Sequence, residues 1–165
     1  MLTKIKQRKE GFTIIEVLIV LAIAGLILLI VFLAVPALQR NSRNTNRRSD
    51  VSSLAGAINE FVANNGGAAP TVAQVTNTGA AVTNAKLGFY TAANVFGNNT
   101  GTPTSTVAST GQSATVLTKD SIIVWIGYDC SGGAAAAPVA GSARSIAIEY
   151  ATETGGSPTV QCSAT

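Results

Sequence analysis

Gly11-Phe12-Thr13-Ile14-Ile15-Glu16-Val17-Leu18-Ile19-Val20-Leu21 opens an apolar run in which the next charged residue after Glu16 is Arg40. Between Glu16 and Gln39 the chain carries no charge for about 22 residues. As a helix rising about 1.5 Å per residue, that stretch is long enough to cross the hydrocarbon core of a bilayer. A carboxylate adjoining such a span is costly, which makes Glu16 a candidate functional residue. A basic decapeptide containing Lys4, Lys6, Arg8 and Lys9 precedes the run.

A secretory signal peptide has an apolar core of roughly 7 to 15 residues closed by a small-x-small cleavage site. This run continues well past that length, and a cut after Ala22-Ile23-Ala24 would leave Gly25 to Leu38 as a new hydrophobic N-terminus. Conventional cleavage does not fit. A permanent single-pass anchor is the plain alternative, but flanking charge gives it no orientation. The four basic residues of the leader are matched by Arg40, Arg43, Arg47 and Arg48 after the span.

The order of basic leader, Gly11-Phe12-Thr13-Ile14-Ile15-Glu16 and apolar run resembles the processing motif of type IV prepilins and the related pseudopilins. The resemblance is strong from about Lys4 to Asp50. Beyond that it is one of layout: a helix, then small strands, then a late cysteine pair. It implies that residues 1–11 are a leader held in the cytoplasm and removed by a prepilin peptidase between Gly11 and Phe12. Phe12 would then be N-methylated, and its new amine would meet Glu16 of a neighbouring subunit. Residues 12–50 would be the hydrophobic N-terminal helix, with its basic junction, and residues 51–165 the globular head. The implied partners are copies of the same chain, the prepilin peptidase, and the assembly platform with its motor ATPase. The implied location is the cytoplasmic membrane, N-terminus inside, and then a surface filament. Gly25 and Pro36 are candidate weak points or kinks in the helix. Pro36 stands a few residues later than the family's usual position.

Composition excludes most other classes. There is no histidine, which removes His-based triads, His acid–base chemistry and His metal ligands. No nucleotide-binding or acyl-enzyme motif is present. We expect no enzyme and no cofactor. From Phe12 onward seven basic side chains balance seven acidic ones, and beyond Asp50 Lys86, Lys119 and Arg144 face five acids, so the head offers no nucleic-acid footprint. The two cysteines, Cys130 and Cys162, are too few for a zinc cage and too distant for a redox CxxC. In an exported chain a disulfide is the default.

Val51, Leu54, Ile58, Phe61 and Val62 recur at helical steps and predict one apolar stripe continuing the N-terminal helix. Asn64-Asn65-Gly66-Gly67 followed by Pro70 predicts its end. The helix should run from about Phe12 to about Asn64. Residues 68–116 are rich in Ala, Thr, Asn, Gly and Ser and read as a long surface loop, with Leu87-Gly88-Phe89-Tyr90 as its packed part. Residues 121–128 predict a central strand, residues 145–150 a half-buried alternating one, and Thr159 to Cys162 a short third. Ser131-Gly132-Gly133, an Ala run and Pro138 would connect the first two.

The expected fold is α+β. A long N-terminal α-helix packs at its C-terminal half on a small antiparallel β-sheet of three or four strands. Asp120, Asp129, Glu149 and Glu153 could gather as a cation site, but no EF-hand-like spacing supports it. Asn98-Asn99-Thr100 is a lone glycosylation sequon in an Asn/Thr-rich stretch and reads as chance. The reading that results is a type IV pilin, a structural filament subunit. Its alternatives are a minor pilin or pseudopilin of a secretion or competence system and, from another class, a single-pass anchored binding module.

Overall fold

Leu, Ile, Val and Ala fill the chain from Ile14 to Leu38 almost without interruption, and the helix that they predict forms. The computed structural model describes residues 11–76, 85, 87–91, 94–98, 117–133 and 137–165. Helix α1 spans Ile14–Asn64 and is continuous through Gly25 and Pro36. The chain divides into two compact units, Met1–Leu38 and Gln39–Thr165, and α1 has residues in both. Every residue from 11 to 39 is exposed, apolar side chains included. Among the described residues α1 alone is long and apolar enough to cross a membrane.

In the second unit the stripe on α1 is used as its spacing predicts. Val51, Leu54 and Ile58 are buried, with Phe61 and Val62 half-buried beside them. The helix ends where Gly66 and Gly67 take φ of +65° and +83°, a region that side-chain-bearing residues avoid. Gly67 N–H donates to the Val62 carbonyl at 2.9 Å, and the Asn65 side-chain amide donates to the Phe61 carbonyl at 2.7 Å, so the final turn has partners for its carbonyls.

After it come α2 (Val72–Val75), β1 (Val95–Asn98), β2 (Ile122–Ile126), β3 (Tyr128–Asp129), β4 (Val139–Ala140), β5 (Ile146–Thr152) and β6 (Thr159–Ala164). The main sheet has the order β1-β2-β5-β6. β2, β5 and β6 are antiparallel neighbours, and β1 runs parallel to β2. β3 and β4 form a separate antiparallel pair in the β2–β5 connection. The fold is the expected α+β, pilin-like arrangement, mostly antiparallel.

Two details depart from expectation. The stretch read as a loop contains α2 and the parallel strand β1. β1 has only four residues, two of them Gly97 and Asn98, which are poor strand formers, so only pairing with β2 reveals it. A Cβ at Gly97 would lie 2.8 Å from the Val72 carbonyl oxygen, so glycine there lets α2 lie close on β1. The second departure is β5, expected to be half-buried and in fact buried at all seven positions. Ile146, Ile148 and Tyr150 join the α1 stripe in one cluster. Ala147 and Ala151 join Leu117, Ile123, Trp125, Val160 and Cys162 in a second. Small residues on the second face are there covered, where alternation with large residues on the first suggested solvent.

Candidate functional site

The chemistry of the first unit lies at the start of α1. Thr13 stands immediately before the helix, and its carbonyl accepts from Val17 N–H at 3.3 Å. The Thr13 hydroxyl accepts from Glu16 N–H at 3.3 Å and donates to Glu16 Oε2 at 3.4 Å, while Thr13 N–H donates to the same carboxylate oxygen at 3.5 Å. This is the reciprocal arrangement of a capping box, in which two otherwise orphaned N–H groups find acceptors. The helix dipole adds to it, since the carboxylate lies in the first turn. Phe12, Glu16, Val17, Val20 and Leu21 line a shallow apolar groove on one face. Phe12 is 87 % exposed. Gly11 is exposed and a Cβ there would meet nothing within 4 Å, so packing within the chain does not require glycine at that position.

Sequence reasoning singled out Glu16 and missed Thr13. The signal was present, because Thr13-x-x-Glu16 before an apolar run is the sequence form of a capping box. The basic residues before the apolar run, Lys4, Lys6, Arg8 and Lys9, lie outside the described residues, as do Lys86 and the sequon's Asn99 and Thr100.

A second cluster joins α1 to the head within the second unit. Arg43 pairs with both carboxylate oxygens of Glu153 through Nε and Nη2, and Arg47 Nη2 meets Glu153 Oε1 at 2.8 Å. Asn44 brackets the same residue's backbone, donating to its carbonyl at 2.7 Å and accepting its N–H at 2.8 Å. Arg47 is buried, with its guanidinium 4.4 Å from the centre of the Phe89 ring. The Arg43 hydrogen bonds, followed by those of Arg47, pull the Glu153 carboxyl down to about 2, and the same contact raises Arg43. One helical turn further on, the buried Asp50 carboxylate accepts N–H bonds from Gly88, Phe89 and Tyr90 at 2.7 to 2.8 Å. Two of the four arginines that left the membrane orientation undecided are thus ion-paired to the head.

The four acids considered as a cation site are occupied separately. Glu153 holds the arginines, Glu149 accepts from Trp125 Nε1, and Asp129 accepts from Ser131 N–H. Asp120 lies 4.0 Å from Arg47 and 3.9 Å from Lys119. No metal-holding group of three or more His, Cys, Asp or Glu exists among the described residues. Cys130 and Cys162 are joined by a disulfide, with Cα atoms 5.7 Å apart.

The family described as the prokaryotic N-terminal methylation motif matches residues 6–32. No curated protein and no solved structure matches the chain. The matched residues include Gly11, Phe12 and Glu16 and extend well into the exposed apolar part of α1. The chain therefore carries the class III signal-peptide motif typical of type IV pilins, on a helix fit to anchor a precursor in a membrane. The match covers the N-terminal segment, and it supports a type IV pilin-like or pseudopilin-like reading of the chain.

Proposed function

We propose that the chain is a structural subunit of a type IV pilus, polymerising through its N-terminal helix after prepilin peptidase cuts between Gly11 and Phe12. Residues 1–11 are the leader. Residues 12–50 span the cytoplasmic membrane and later form the filament core with its basic junction, and residues 51–165 are the displayed head. The single observation that carries this reading is the apolar surface of α1 up to Leu38, exposed on every side, beneath a methylation motif. Such a surface is stable against lipid or against other helices like itself, and a filament exchanges the first cover for the second.

Glu16 supplies the coupling between cutting and assembly. In the uncut chain its carboxylate closes on Thr13 through contacts of 3.4 and 3.5 Å, long enough to be exchanged for better ones. Cleavage converts the Phe12 amide to an amine, ordinarily protonated at neutral pH. A neighbour's amine then offers a charge-assisted partner. In a water-poor core an unpaired carboxylate costs several kcal/mol, so an incoming subunit settles in the axial register that pairs it. Glu153 and Asp50 hold the head to the part of α1 that lies within the second unit. The platform protein and motor ATPase of such systems would drive the exchange.

The test is mass analysis of the mature N-terminus together with microscopy of filaments sheared from cells. A methylated Phe12 start in the major filament protein is expected. A chain that retains residues 1–11 would point to an anchored binding module. A methylated Phe12 start in a chain that is absent from filaments would point to a pseudopilin or minor pilin.

A further inference from the structure

Glu149 is a buried carboxyl for which assembly has no use. It lies on β5, on the sheet face away from α1, and is 0 % exposed. Its Oε2 accepts a hydrogen bond from Trp125 Nε1 at 2.6 Å, and its Oε1 has no hydrogen-bond partner among the described residues. The strand register places it directly across from Cys162 on β6. Residues so opposed in an antiparallel pair share a face, with Cβ atoms about 4.5 to 5.5 Å apart. Cys162 is buried, whereas Cys130, just after β3, is half-buried. A reagent arriving from solvent therefore meets Cys130 first.

We propose that Glu149 is the proton acceptor for the Cys162 thiol when the Cys130–Cys162 bridge closes, so that this part of the head is an acid–base site for its own oxidation. The oxidant is an external disulfide, R–S–S–R. The Cys130 thiolate attacks one of its sulfurs, a first R–S⁻ leaves, and a mixed disulfide remains on Cys130. The Cys162 thiol then passes its proton to Glu149, its sulfur attacks Cys130 Sγ, and a second R–S⁻ leaves. Each leaving thiolate takes a proton from solvent. Two electrons pass from the cysteine pair to R–S–S–R, which becomes two R–SH.

The second step needs a base because a thiol in apolar surroundings resists ionisation, and only the thiolate attacks. Among the described residues, the titratable groups of the cluster on this sheet face are Cys162 of β6, Cys130 after β3, and Tyr128 of β3, while Trp125 of β2 adds a neutral N–H. Burial pushes the Glu149 carboxyl up to about 7, against the lowering effect of the Trp125 bond. A base of that strength suits a neutral medium. Having taken the proton it is uncharged, so the transfer itself leaves no charge on the buried carboxyl.

The experiment uses the reduced full-length chain in detergent, with Cys130 loaded as the mixed disulfide of 5-thio-2-nitrobenzoate. Release of the coloured thiolate reports closure by Cys162. The wild-type rate is expected to rise with pH through an inflection near 7. Glu149→Gln keeps an oxygen for Trp125 Nε1, and is expected to close about tenfold or more slowly at neutral pH and to follow only thiol ionisation. A variant that matches the wild type in rate and profile overturns the proposal. Should the variant fail to fold, the wild-type profile decides, since a curve that follows thiol ionisation alone overturns it too.

Discussion

Glu16 shows how little of a residue's role is local. Within the chain it is a satisfied helix-capping acid, and a cap alone is worth about 1 kcal/mol. The larger part we propose for it depends on a cation that the uncut chain does not have. We expect Glu16→Ala to insert and be cleaved like the wild type but to yield no stable filament, judged by precursor processing in membranes and by sheared-filament yield. Normal filament from that variant alone would contradict the role given to Glu16. Two further acids set the response of the head to pH in opposite senses. Glu153, pulled down to about 2 from an ordinary 4.5, adds stability that is complete above 4.5 and lost as pH falls through about 2. Glu149, raised to about 7 from 4.5, adds stability that is complete below 4.5 and lost as pH rises through about 7. Thermal melts across this range should show Glu153→Gln flattening the acid limb and Glu149→Gln the other. A variant whose melting profile parallels the wild type's would remove its residue from this account.

At the scale of elements, the head is held to α1 by polar groups as much as by its apolar stripe. The Asp50 carboxylate is the acceptor for three consecutive N–H groups, which no other element replaces among the described residues. Asp50→Ala strands buried donors and should cost about 3 kcal/mol or more in chemical denaturation of the full chain, with the 87–91 segment losing protection in hydrogen exchange. An unchanged denaturation midpoint would show that the segment finds other partners. The Cys130–Cys162 bridge ties the β3 end of the β2–β5 connection to β6. Cys130→Ser should lower stability by about 3 to 4 kcal/mol in the chain-entropy account of a loop this long, read from the same denaturation curves. Free-thiol labelling of both cysteines in unreduced protein would count against the bridge itself.

At the scale of the whole molecule, the apolar span and the motif before it govern where the chain can be. The Gly11 position has open space around it, so a bulky replacement harms nothing within the fold. Gly11→Leu should therefore leave full-length precursor in the membrane, seen as uncut protein on immunoblots, with an undisturbed head. Filaments of cleaved Gly11→Leu subunits would move the cut elsewhere.

The N-terminal half of this molecule is legible in its sequence because its information is local. A span is a matter of consecutive apolar residues, a capping box of four positions, and a helix end of Gly66 and Gly67, so each can be recognised without knowing what surrounds it. The strands β2, β5 and β6 were legible for the same reason, since runs such as Ile122-Ile123-Val124-Trp125-Ile126 identify themselves. Tertiary structure alone decided the rest. β1 exists because β2 offers it a parallel edge, and β5 is buried on both sides because a second cluster covers its small residues. The partners of Glu153, Asp50 and Glu149 lie 24 to 110 residues away in the chain, beyond the reach of any periodicity. Short-range patterns determine which segments become helix or strand, whereas the pairing of charges depends on which segments the folded chain brings together.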